Sequence, residues 1–289
     1  MNNKSAKISP IVLVVIAVLL WSTGGLFIKL TTLDAFQVTF FRSFFAAVTV
    51  LILTRKAGLK IDAFGIFTSI IYALLLFLFV WATKKTTAAN AIFLQYTAPI
   101  YILILAPFII SEKFRMRDLL TVVVVLAGMS LFFVGQLRLE DYQGNIAALG
   151  SGIFLGLYIM LLKHPRAERL NPVITVIYGN FLLAALNTPT GISAIPNMVP
   201  LDWFAVVFLG VFQIGISYIL FIKGVRGGTR PLDASLIGFI EPLLNPVWVF
   251  LFVGERPSEW ALLGGVIIIA AIGFHTIRQY SGKRAEMRV

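Results

Sequence analysis

Residues 231–257 read PLDASLIGFIEPLLNPVWVFLFVGERP, an apolar stretch long enough to cross a membrane, with a carboxylate inside it. Counted from Leu232 at roughly 1.5 Å per residue, Glu241 lies about 13 Å along, near the middle of a hydrocarbon core about 30 Å thick. A charge at that depth costs roughly 3 kcal/mol or more, so an acid there marks a functional position. Pro242 and Pro246 lack amide hydrogens, which is expected to free carbonyls about one turn earlier, beside the acid. Broken backbone of this kind is tolerated in a bilayer only against protein or water.

The pattern recurs in residues 90–114, NAIFLQYTAPIYILILAPFIISEKF, where Pro99 and Glu112 are separated by the same thirteen residues as Pro242 and Glu255. At this offset of 143, Ala91, Leu119 and Leu120 fall on Ala234, Leu262 and Leu263, and Lys113 falls on Arg256. Pro99, Pro107, Pro242 and Pro246, the prolines well inside apolar spans, all lie in these two segments. Interrupted spans at matching places in two halves are the sequence mark of a transporter.

With 59% hydrophobic residues, 13% charged ones and a positive mean hydropathy, the chain is not an ordinary soluble domain. Zero cysteines exclude disulfides and thiolate metal sites, and His164 and His275 are too isolated for a histidine cluster. No HExxH, GxSxG or phosphate-binding GxxxxGK[ST] is present, so enzymatic and nucleotide-driven chemistry lack their usual residues. The net charge of +11 resides in short loops between apolar spans, which argues against nucleic acid as a partner.

Hydropathy predicts an all-α membrane protein with ten transmembrane helices, at about 9–30, 36–54, 64–83, 88–110, 118–136, 144–163, 172–188, 202–222, 232–253 and 259–277. The first is too long for a signal peptide, lacks a small-x-small site and is expected to stay uncleaved. Eighteen basic loop and tail residues fall on the side of the termini and five on the other, which predicts cytoplasmic N- and C-termini in the plasma membrane. Five spans per half, residues 1–140 and 141–289, put the second half into the bilayer with opposite orientation. Two such inverted halves can rock about a central site and open it to each side in turn.

Several motifs carry a family resemblance over the whole length: LLWSTGGLFIK at 19–29 with Trp21 and Lys29, FFRSFFA with Arg42, ANAIFLQYTAPIY from Ala89, the helix-end Glu112, EPLLNP at 241–246 and GER at 254–256. The chain resembles an EamA-type member of the drug/metabolite transporter superfamily. That resemblance implies a ten-helix inverted repeat, with helices 1–4 and 6–9 around a central cavity and helices 5 and 10 peripheral, and export of small metabolites. Ser111 departs from the glycine usual before Glu112, a difference of local packing.

Polar residues inside spans are the substrate-binding candidates. Glu241 leads; the alternative is an acid satisfied by a basic residue or backbone amides. Arg42 has a planar fork suited to a carboxylate, with pairing to Glu241 or reach to the outer interface as alternatives. Gln95 and Tyr96 sit just before the Pro99 break, where side-chain donors and freed backbone groups can converge on a ligand. Asn245 shares the helical face of Glu241 unless Pro242 turns that face away. Trp21, Trp81, Tyr158 and Tyr218 are candidates for an aromatic wall against a flat or cationic solute, although aromatics also anchor at membrane interfaces. Asn180 and Gln213 either contact substrate or make interhelical hydrogen bonds worth ~0.6 to 2 kcal/mol. Gly152 and Gly156 form a GxxxG that permits close packing, while Lys84, Lys85, Glu112 and Glu255 read as solvated helix ends and His275 as structural.

The sequence thus reads as a secondary transporter exporting small metabolites such as amino acids or related amines, as a monomer or homodimer, without metal or cofactor. If Glu241 is unpaired, protons and a cationic substrate compete for it and a proton gradient can drive export; if it pairs with Arg42, it is structural. The alternative is a passive facilitator or channel, and a third reading is a membrane scaffold or intramembrane enzyme. Tags on both termini test the topology. Both are expected to be inaccessible from outside intact cells; termini on opposite sides would reject ten spans.

Overall fold

The computed structural model describes residues 8–54, 58–132, 134, 141–171, 173–253 and 258–286, and every regular element among them is helical. Seven described stretches are long and apolar enough to cross a membrane: Pro10–Leu30, Ala35–Thr54, Ala63–Lys85, Asn90–Ile109, Tyr142–Leu161, Pro200–Arg226 and Glu259–Ile277. Shorter helices occupy the other expected spans. These are α7 (Met116–Phe132), α9 (Ile174–Leu186), and the pair α13 (Pro231–Ile237) and α14 (Ile240–Val253).

The two proline-bearing spans are interrupted, but slightly earlier than the sequence predicts. The first divides into α5 (Ala88–Gln95) and α6 (Ala98–Ile109), leaving Tyr96 and Thr97 between them. The second divides at Gly238 and Phe239, between α13 and α14. Pro99 is then in the first two residues of α6, and Pro242 is the third residue of α14. A proline costs little in a first turn, where amide hydrogens have no intrahelical partner anyway, so each segment starts a new helix around its first proline, whereas Pro107 and Pro246 lie within α6 and α14 and do not end them. As a result Glu241 lies at a helix N-terminus, whose dipole favours a carboxylate.

Two further irregularities lack a proline. The first span divides into α1 (Pro10–Trp21) and α2 (Gly24–Leu30), and the Ser22 and Thr23 hydroxyls donate to the carbonyls of Leu19 and Leu20, each at 2.7 Å. Such local side-chain bonds compete with the helical ladder. Between α11 (Pro200–Phe208) and α12 (Ser217–Arg226), residues Leu209–Ile216 form a π-helical segment. Its glycines let it approach α3 (Ala35–Thr54): a Cβ on Gly210 would lie 2.8 Å from the Arg42 carbonyl oxygen.

α4 (Ala63–Lys85) packs along α8 (Tyr142–Leu161), and α1 packs along α12. α3 lies against both α9 and the π-helical segment, while α7 pairs with α15 (Glu259–Glu286). Phe108, Leu186 and Phe274 are among the large apolar side chains left exposed, as a lipid-facing surface requires.

Gly152 and Gly156 set how closely α8 approaches the first interrupted span. A Cβ on Gly152 would lie 2.7 Å from the Gln95 carbonyl oxygen, and one on Gly156 would lie 3.2 Å from that of Ala98. Neither backbone can retreat without moving the break. Gly152→Ala should therefore cost roughly 1–3 kcal/mol and lower the melting temperature in detergent. Gly273→Ala, in open space on α15, should leave it unchanged; equal melting of the two variants would contradict this packing.

Candidate functional site

The two interruptions meet. Tyr96, in the first, donates its hydroxyl hydrogen to Glu241 Oε2 at 2.8 Å, just past the second. Its ring packs on Phe239 at 5.0 Å between centroids, and a Cβ on Gly238 would lie 2.8 Å from Tyr96 Cε1. Both Tyr96 and Glu241 are buried. Beside them is a cavity of about 30 Å³, lined by Trp21, Arg42, Gln95, Gln213, Tyr218 and Glu241 together with apolar side chains. The space left among these polar groups is small.

Arg42 lies on α3 with no exposed surface, which rules out reach to an interface. Its Nη2 donates to the Leu76 carbonyl oxygen at 3.3 Å, while Nε and Nη1 have no partner among the described residues. It does not pair with Glu241, so the structural alternative for that acid is not the arrangement found. Tyr218 lies within electrostatic reach of both. Gln213 comes from the π-helical segment, the kind of helical defect common at functional sites, and its buried Oε1 also lacks a partner among the described residues.

An aromatic wall forms, with a different membership from the one expected. Trp21 donates from Nε1 to Ser217 Oγ at 2.8 Å, and its ring lies 4.9 Å from Tyr218 and 4.7 Å from Phe221. Tyr72 meets Tyr218 edge-on at 4.8 Å and Tyr158 at 5.1 Å. Tyr158 and Asn180 support this wall from behind the cavity: Tyr158 shares a hydrogen with Thr175 at 3.2 Å, and Asn180 donates to Tyr72 Oη at 3.0 Å. Tyr72 and Ser217 were not anticipated, and the signal available was a polar tip within an apolar run. Trp81 lies apart, against Phe36 and Phe77 and beneath the Lys85 ammonium. Gln95 donates to Ser151 Oγ at 2.7 Å, and that hydroxyl donates to the Leu75 carbonyl oxygen at 3.1 Å. The Asn245 side chain, Glu255 and Arg256 lie outside the described residues.

The helix ends are tied rather than solvated. Arg230 donates from Nε to Glu112 at 2.6 Å and from Nη2 to Asp118 at 2.8 Å, and its Nη1 lies 3.8 Å from Asp233. Asp233 in turn meets His275 Nε2 at 3.0 Å, and His275 Nδ1 meets Thr121 at 3.2 Å. Burial works against the Arg230 cation, but the Asp118 hydrogen bond, Asp233 and Glu112 outweigh it and hold its pKa above the ordinary arginine range. Glu112 and Asp118 belong to the first half of the chain and Arg230 to the second. At the opposite end of the 200–226 span, Asp202 accepts from the Thr31 hydroxyl at 2.7 Å and from the Thr32 amide at 2.8 Å. Lys84 also donates to the Thr31 carbonyl oxygen at 3.1 Å.

The sequence pattern of the EamA-like transporter family matches residues 8–134 and again 142–277. The chain is similar to a protein of Rickettsia felis named S-adenosylmethionine uptake transporter, at 26% identity over 89% of this chain and 87% of that one. It is also similar to the pseudopaline exporter CntI of Pseudomonas aeruginosa, at 22% identity over 91% and 94%. One solved crystal structure shares the fold with a TM-score of 0.77 at 21% identity, covering 93% of this chain and 96% of the other.

Removing Arg230 leaves Asp118, almost fully buried, with the more exposed Arg117 at 3.8 Å in place of the 2.8 Å contact to Arg230. Arg230→Gln is expected to cost about 3 kcal/mol. Carboxylates that become protonated no longer need the cation, so the deficit should narrow as pH falls. Thermal melts of both proteins across an acidic pH series check this; a deficit independent of pH would show that charge is not the cause.

Proposed function

The chain belongs to the EamA-like transporter family, and from that premise we propose that it is a secondary active transporter exporting amino acids or related amines by alternating access. The observation that carries this reading is a small cavity at the junction of two interrupted spans, one from each half, with a buried cation and a buried carboxylate on its wall that do not pair with each other. Intramembrane charges without mutual compensation belong to pathways rather than to packing.

In this proposal residues 1–140 and 141–289 are two five-helix repeats of opposite orientation, ten spans in all, with both termini in the cytoplasm. Three observations support it. The family pattern matches twice; the interruptions at 96–97 and 238–239 correspond within a residue at the 143-residue offset; and the packing is reciprocal. The pairing of α4 with α8 has its counterpart in α12 with α1, and that of α4 with α9 in the π-helical segment with α3. A two-fold relation between halves generates this reciprocity, and exchange of the halves' conformations opens the site to alternate sides.

The ion cluster around Arg230 and the hydrogen bonds around Asp202 close the two ends. Glu241 is the proton acceptor in the proposed cycle: an inward-moving proton displaces the substrate ammonium from its carboxylate. The bond that Tyr96 donates can persist with either a carboxylate or an amide oxygen, so Glu241→Gln should fold.

Exchange in proteoliposomes tests the mechanism. Unlabelled solute on the far side should accelerate movement of a labelled amino acid or amine, because a carrier returns faster loaded, whereas a pore shows no such acceleration. Glu241→Gln should slow exchange by roughly tenfold or more and remove its pH dependence. A folded variant with wild-type rate and pH profile would exclude Glu241 from coupling, and absence of acceleration would favour a passive facilitator.

A further inference from the structure

The most demanding feature of the site is Arg42. A guanidinium without exposed surface normally has a carboxylate partner, because an uncompensated buried charge costs several kcal/mol. Arg42 has one bond, to the Leu76 carbonyl oxygen, and none of the ion pairs among the described residues involves it. Two donors, Nε and Nη1, remain unused. They lie on either side of the held Nη2, and each is a separate free donor for an oxygen acceptor.

The surroundings supply no anion. Tyr72 and Tyr218 are the groups within electrostatic reach of Arg42, and both are neutral phenols in their ordinary state. Glu241 is held by Tyr96 through Oε2 and forms no ion pair with Arg42 among the described residues. The same cavity therefore presents two unused donors of a buried cation on α3 and a carboxylate on α14.

We propose that Arg42 is the specificity-determining residue of the site, binding a carboxylate of the solute through its free guanidinium donors while Glu241 takes its ammonium group. The solute is then a zwitterion, and an amine without a carboxylate is not held. This rests on the transport reading above and narrows it, because that reading admits simple amines. It also accounts for the opposite charges remaining apart: paired with each other, they would have nothing left to offer a solute. Gln213, whose Oε1 is unpartnered on the same wall, supplies a further polar contact.

Binding to the purified full-length protein tests this without any mutation. The probes are the proteinogenic amino acids, each compared with its decarboxylated amine and its methyl ester, measured by thermal shift and then by calorimetry. At least one amino acid should bind, with its amine and ester weaker by roughly tenfold or more, the loss expected when a charge-assisted hydrogen bond is missing. In Arg42→Gln that amino acid should fall to the level of its amine while the amine's own affinity is unchanged, and Arg42→Lys should restore part of the difference. An amine that binds wild type as tightly as its amino acid would overturn the role of Arg42 and leave the transport reading intact. Discrimination retained in Arg42→Gln would do the same. Failure of every probe to bind would overturn both the zwitterion proposal and the amino acid or amine reading. Should Arg42→Gln not fold, the wild-type comparison of each amino acid with its ester still decides the matter.

Discussion

The hydrogen bond from Tyr96 to Glu241 joins two interrupted spans at a place where lipid could satisfy neither of them. In a bilayer every polar group must find its partner within the protein, so a helix may stop only where another element covers the stop. Here each interruption covers the other. Gly238 allows the Tyr96 ring to come close, Tyr96 caps the carboxylate, and the N-terminus of α14 lies against the same acid.

Around this junction the close approaches depend on residues without side chains. Gly152 and Gly156 bring α8 onto the backbone of the first interrupted span, and Gly210 brings the π-helical segment onto α3 at Arg42. Dispersion and shape complementarity hold helices together where lipid is as apolar as the side chains, so small residues determine which backbones can touch. These contacts carry Gln213 and Arg42 to one cavity wall. Toward the helix ends charged groups have partners: Asp202 with Thr31 and Thr32, and Arg230 with three acids. Charge is balanced at the ends and unbalanced at the centre, which is where the proposed cycle requires a ligand.

The apolar membrane-length helices, the place of Glu241 inside an apolar segment and the interruption of both proline segments were legible in the sequence, because hydropathy and the missing proline amide are local properties. So was the family. Partnerships were not. Glu112 read as a solvated helix end and is bound to Arg230; Trp81 read as part of an aromatic wall and lies apart from it; Tyr72 passed unnoticed in an apolar run and sits at the wall's centre. The proline positions predicted interruption, yet Pro99 and Pro242 fall in the first turns of new helices, where a proline costs little, and Pro107 and Pro246 lie within those helices.

What the sequence alone determined is therefore a helical membrane transporter with an acid near the middle of one span. Only the tertiary structure decided that Tyr96 holds this acid and that Arg42 remains without a counter-charge. The reason is rotational. A soluble helix announces its inner face by polar residues on the outer one, but a helix between lipid and protein is apolar on every side. Each residue turns a helix by about 100°, so which side chains face the centre depends on how neighbouring helices pack, and that is decided by glycines and helix breaks more than a hundred positions apart in the chain.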